Sequence, residues 1–149
     1  MDEAIYSREA GQRGNTDLVV LLHGYGSNPE RMLPWFSALP AGATGAALRG
    51  PLDVGGDGGW FRLDYFLAND FAEVVSAAHR VFDWQDKYAI GYRSISLLGH
   101  SQGMAMATTL HRLRPGTYKS LVGLSGFVLS NERLNLTDSE PAPGRGAPF

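Results

Sequence analysis

A chain of 149 residues is long enough for one domain with a substantial core, and its 44% apolar content is ordinary for a globular protein. A net charge of −2 argues against a nucleic-acid binder that depends on phosphate contacts, and the lack of cysteine removes disulfides, thiol chemistry and cysteine metal sites. The acidic start Met1-Asp2-Glu3-Ala4 has no signal-peptide character, and no apolar run approaches the ~20 residues of a membrane span, so a cytoplasmic protein is expected.

In chain order, Ala4 to Ser7 reads as a short first strand, and Gly11 to Asn15 as a turn. Leu18 to Leu22 is an uninterrupted apolar run, as in a strand covered on both faces of a parallel sheet. It ends in the glycine-rich loop His23-Gly24-Tyr25-Gly26-Ser27-Asn28, the kind of position where open α/β sheets bind ligands. Asn28 and Pro29 are suited to cap and open a helix running to about Leu39. Ala43 to Leu48 is a weak strand of small residues. Gly55 to Phe61 is too glycine-rich to read as an element, and its Trp60-Phe61 pair is either a plug on the core or a wall of a pocket. A helix follows, capped by Asn69 or Asp70 with Glu73 completing a capping box. Its Phe71, Val74, Val75, Ala78, Val81 and Phe82 fall on one face. Ile95, Leu97 and Leu98 lie in a buried strand from Arg93, Gln102 to Arg114 form a helix stopped by Pro115-Gly116, and Ser120 to Gly126 form another strand. The end of that strand, Gly126-Phe127-Val128, is placed to line the same crevice. Strands alternating with helices argue a doubly wound α/β domain. From Asn131 the pattern stops, and residues 131–149 read as a loop or linker approaching a further strand.

The chain is organised around Gly99-His100-Ser101-Gln102-Gly103, a G-x-S-x-G sequence between a strand and a helix. A serine on so sharp a turn needs small neighbours. Its hydroxyl then stands at the carboxyl end of the sheet, beside the free N–H groups that open the helix. Ser101 is therefore the candidate nucleophile.

Four segments together resemble the carboxylesterase/phospholipase family of the α/β-hydrolase fold, the group that includes acyl-protein thioesterases: Leu21 to Asn28, Trp60-Phe61, Gly99 to Gly103, and Leu124 to Phe127. The resemblance implies Ser101 as nucleophile, an oxyanion hole from the backbone N–H groups of Tyr25 and Gln102, and Trp60 at the acyl or leaving-group pocket; Phe61, beside Trp60, and Phe127, at the end of the last strand, are the further pocket candidates. It implies hydrolysis of a small carboxylic ester or thioester through an acyl-serine, with no metal or organic cofactor.

The expected triad order is serine, acid, histidine. After Ser101 the only histidine is His111, about 15 Å further along the same helix, and it precedes the later acids Glu132, Asp138 and Glu140. His100 adjoins the serine and points away, His79 lies mid-helix, and His23 is expected to shape its loop. Residues 1–149 therefore read as one incomplete hydrolase domain whose acid and histidine lie on a C-terminal remainder, carried by a longer or a separate chain. The exposed sheet edge expected of such a piece favours association with that remainder or with a second copy. Two other readings compete with this one: a non-catalytic binding module or inactive fragment, and acyl transfer or perhydrolysis on the same fold.

Overall fold

The computed structural model describes residues 3–64 and 71–130. The strands are β1 (Ile5–Tyr6), β2 (Asp17–Leu22), β3 (Ala43–Leu48), β4 (Leu52–Val54), β5 (Asp57–Gly59), β6 (Ser94–His100) and β7 (Leu121–Leu124). The helices are α1 (Ala72–Tyr88) and α2 (Gln102–Leu113), and 3-10 turns cover Ala10–Gln12 and Pro29–Ala38. The main sheet has the order β1-β3-β2-β6-β7, with β1 antiparallel to β3 and the other pairs parallel.

The apolar run of β2 is explained by its central place, because alternate residues serve opposite faces. Leu18, Val20 and Leu22 join Val74, Ala78, Val81 and Phe82 of α1 and Met106 and Leu110 of α2 in the larger core. Leu21 joins Met32, Ala47 and Leu98 on the other face, with Trp35 and Phe36 packed against them. The small residues of β3 have a steric reason. A side-chain carbon on Gly45 would sit 2.6 Å from the Phe36 ring, so the segment 29–38 lies directly on this strand.

That segment is capped as expected, with the Asn28 side chain accepting from the Arg31 N–H at 3.1 Å, but it is a 3-10 run and not an α-helix. Pro34 lies inside it, has no N–H to give the carbonyl four residues back, and crowds that carbonyl with its ring. The glycine-rich stretch is also more regular than its composition implies. β4 and β5 form an antiparallel hairpin in which Val54 faces Asp57 across Gly55 and Gly56. Both glycines have positive φ, +60° and +94°, as a two-residue type I′ hairpin turn requires. Phe71 stands at the start of α1 and its own side chain makes no cap, and Glu73 accepts from the Arg62 backbone N–H at 2.9 Å and from Arg62 Nε. Asn69 and Asp70 lie outside the described residues, as do 131–149.

Candidate active site

Parallel pairing of β2 with β6 brings Leu22 opposite Gly99, so the loops that follow these strands leave the same end of the sheet side by side. Ser101 sits where β6 turns into α2, with φ +57° and ψ −120°. Its hydroxyl does not cap α2, and the residue is partly exposed. The glycines around it are explained by close approach. A side-chain carbon on Gly99 would run into the Gly103 carbonyl, one on Gly103 into the Leu22 carbonyl, and one on Gly126 into the Ser101 carbonyl. On Gly24 it would lie 3.2 Å from Ser101 Cβ and 3.6 Å from Oγ, so the loop after β2 lies closely against the serine and a side chain there would push the two apart by a few tenths of an ångström. The Ser101 N–H donates to the Leu124 carbonyl at 2.8 Å, which ties the turn to the end of β7.

A buried polar network lies behind this turn. His23 is fully buried, with Nδ1 2.7 Å from the Gly24 carbonyl and Nε2 2.9 Å from the Gly50 N–H. Nε2 must accept from an amide, so Nδ1 carries the proton and donates to Gly24. Burial is the main cause holding His23 below the ordinary histidine pKa. Trp60 donates its indole N–H to the His23 carbonyl at 2.8 Å, and its backbone N–H to Gln102 Oε1 at 2.8 Å. Gln102 Nε2 donates to the Phe61 carbonyl at 2.6 Å. The β4–β5 hairpin braces the loop after β2 from outside: the Gly58 carbonyl accepts from the N–H groups of Gly26 and Ser27, and Asn28 Nδ2 donates to Asp57 Oδ1.

Of the residues singled out in the sequence, Ser101, Gln102 and Tyr25 lie on the two adjacent loops, and Tyr25 is 38% exposed. Trp60 and Phe61, open between plug and wall, are buried at 2% and 0% exposure and plug the core behind the elbow. Phe127 is 37% exposed and meets the Phe61 ring edge-on at 6.4 Å, so it is the accessible end of this aromatic row. His23 shapes its loop, with both ring nitrogens engaged. His100 and His79 are exposed, the latter against Phe82 on α1. His111 lies on α2, about 15 Å beyond Ser101 along the helix axis. Sequence patterns did not reveal the roles of the Gln102 side chain, Gly50 or Gly126. The one local signal was a glutamine buried directly after a turn serine. Among the described residues, no three histidine or carboxylate side chains converge as a metal site would require.

Residues 4–142 match the model of the phospholipase/carboxylesterase family. The chain belongs to this family. Solved structures agree on the fold. Esterase PE8 is 27% identical with a TM-score of 0.68, the match covering 88% of this chain and 66% of that one. The Bacillus cereus carboxylesterase is 21% identical with a TM-score of 0.69, covering 86% and 61%. Zea mays acyl-protein thioesterase 2 is 18% identical with a TM-score of 0.61, covering 95% and 69%. A search of the curated proteins finds no match. This phospholipase/carboxylesterase family member thus has the α/β-hydrolase sheet, and it spans less than two thirds of the PE8 and Bacillus cereus chains. Among the described residues no helix is long and apolar enough to cross a membrane.

Proposed function

We propose that this chain carries the nucleophile and the oxyanion hole of a serine esterase. The observation that carries the proposal is Ser101 itself, a non-glycine residue at φ +57° between β6 and α2, with Gly24 of the neighbouring loop against its side chain. Strained backbone of this kind is concentrated at reactive sites. Ser101 Oγ attacks the carbonyl carbon of a carboxylic ester or thioester and gives its proton to a histidine. The carbonyl oxygen becomes an oxyanion held by the N–H groups of Tyr25 and Gln102. Collapse expels the alcohol or thiol, which takes the proton, and water then releases the acid from the acyl-serine. No metal or organic cofactor enters. Phe127 supplies an accessible apolar wall for a small acyl or alcohol group.

The histidine and its acid come from outside these 149 residues. His23 has no free nitrogen, His111 is too far along α2, and the chain spans 66% of the PE8 esterase chain. The test is labelling with a fluorophosphonate, read by intact mass, on the complete enzyme containing this chain. Ser101 is expected to carry the adduct, and Ser101→Ala to abolish both the adduct and hydrolysis of p-nitrophenyl butyrate. Failure of the complete enzyme to label, with no hydrolysis, would establish a binding module that keeps the fold without the chemistry.

A further inference from the structure

We infer that Trp60 and the Gln102 side chain form a cross-brace that sets the separation of the two oxyanion donors, the backbone N–H groups of Tyr25 and Gln102. The inference rests on the esterase reading above. Each donor lies three residues past the pair Leu22–Gly99, the last that joins β2 to β6, so sheet hydrogen bonds alone do not fix one donor against the other. Trp60 spans the gap. Its indole N–H holds the His23 carbonyl, at the root of the first loop, at 2.8 Å. Its backbone N–H holds Gln102 Oε1, on the second loop, at 2.8 Å. Gln102 returns a bond from Nε2 to the Phe61 carbonyl at 2.6 Å, so its amide is engaged at both ends while only 1% exposed.

The hairpin completes the frame. The Gly58 carbonyl, two residues before Trp60, accepts from Gly26 and Ser27, just past Tyr25. The Tyr25 peptide is therefore clamped between a tryptophan bond on one side and a hairpin bond on the other. Oxyanion donors act through preorganisation, and a displacement of about 1 Å is enough to lower a rate by roughly two orders of magnitude. Trp60 and the Gln102 side chain are positioning residues in this scheme. Neither side chain touches the substrate.

The test uses the complete enzyme with Gln102→Met and Trp60→Phe, both of which keep the backbone N–H groups and a bulky apolar side chain. For p-nitrophenyl butyrate, kcat is expected to fall at least about tenfold in each, with KM within about twofold. Affinity for a trifluoromethyl ketone is expected to fall in parallel with kcat/KM. In that adduct Ser101 Oγ bonds to the ketone carbon, the carbonyl electron pair becomes the oxyanion, and the serine proton passes to the base. The double variant should be no worse than the weaker single variant, because both cut one brace. A merely structural role would lower the melting temperature and leave kcat and ketone affinity unchanged well below it, and that result overturns the inference. Trp60→Phe loses a single bond and so serves if Gln102→Met does not fold. If the unaltered enzyme is inert, or Ser101→Ala remains active, the esterase reading fails and the inference with it. An active enzyme with unimpaired folded variants overturns the inference alone.

Discussion

Ser101 holds a conformation that costs a residue with a side chain on the order of 1–3 kcal/mol, because its Cβ crowds the backbone at φ +57° and ψ −120°. Glycine would occupy the same turn without that crowding, though its freer unfolded chain offsets part of the gain. Ser101→Gly should therefore raise unfolding stability by about 1 kcal/mol while abolishing fluorophosphonate labelling, measured as a higher urea midpoint alongside an unmodified mass. An unchanged or lower midpoint would mean that the turn stores no strain. His23 gives a pH dependence of definite sign. A proton on its Nε2 would face the Gly50 N–H, and burial already holds its pKa below the ordinary value of 6.5. Between the lowered folded value and 6.5 the unfolded chain binds a proton that the folded one refuses. Stability from this group is thus complete above about pH 6.5 and declines as pH falls below it. Urea midpoints taken from about pH 7.5 down to about pH 5 should show that decline, and His23→Gln should flatten it even if it lowers the whole curve.

The seam between α1 and the end of α2 contrasts an exposed contact with a buried one. Arg114 makes paired bonds of 2.8 and 3.1 Å to Asp86 and lies 4.0 Å over the Phe82 ring, but the Asp86 side chain is 58% exposed. Tyr118, 7% exposed, donates to Gln85 Oε1 at 2.7 Å, and burial pushes its phenol pKa well up. Tyr118→Phe strands a buried amide oxygen and should cost about 1–3 kcal/mol. Asp86→Asn should leave the unfolding midpoint nearly where it was, because the pair is solvent-screened. Matching losses in the two variants would contradict this ranking. The same distinction between local and distant causes separates what was legible in the sequence from what was not. The central strand β2, the strand and helix of the elbow, and the apolar face of α1 were readable because periodicity reports burial along one element. The hairpin hid in Gly55-Gly56, where the mirror-image turn needs residues that otherwise signal loop, and the α-helix expected over 29–39 became a 3-10 run at Pro34. Within the site, the serine turn was readable because Gly99 and Gly103 stand two residues either side of Ser101, whereas Gly24 and Gly126 reach it only through the fold. The buried roles of Trp60 and Gln102 were not readable, because each depends on a partner 42 residues away.

At the scale of the molecule, the sheet is covered unevenly. On one face α1 and α2 close over β2, β6 and β7, and Leu121 is buried among them. On the other face the segment 29–38 lies over β2 and β3, while Val122 of β7 is 45% exposed. Phe127 and Val128, just beyond the strand, are 37% and 40% exposed. Among the described residues β7 is also the edge of the sheet, so its outer backbone groups have no strand beside them. Parallel strands are normally covered on both faces, and an exposed apolar edge is a template for another chain. A polypeptide of residues 1–149 by itself should therefore self-associate in sedimentation velocity at micromolar concentration, and Val122→Lys should reduce that association by placing a charge on the open strand. Adding a polypeptide that corresponds to the part of the PE8 esterase chain this one does not span should convert the material to a one-to-one complex. If the base reaches Ser101 from that segment, labelling should appear at the same stoichiometry, because covering the edge and completing the triad would be one event. A chain that sediments cleanly as a monomer would show that the β7 edge is not sticky. Labelling of the isolated chain would place a working base within these residues, against the geometry of all four histidines.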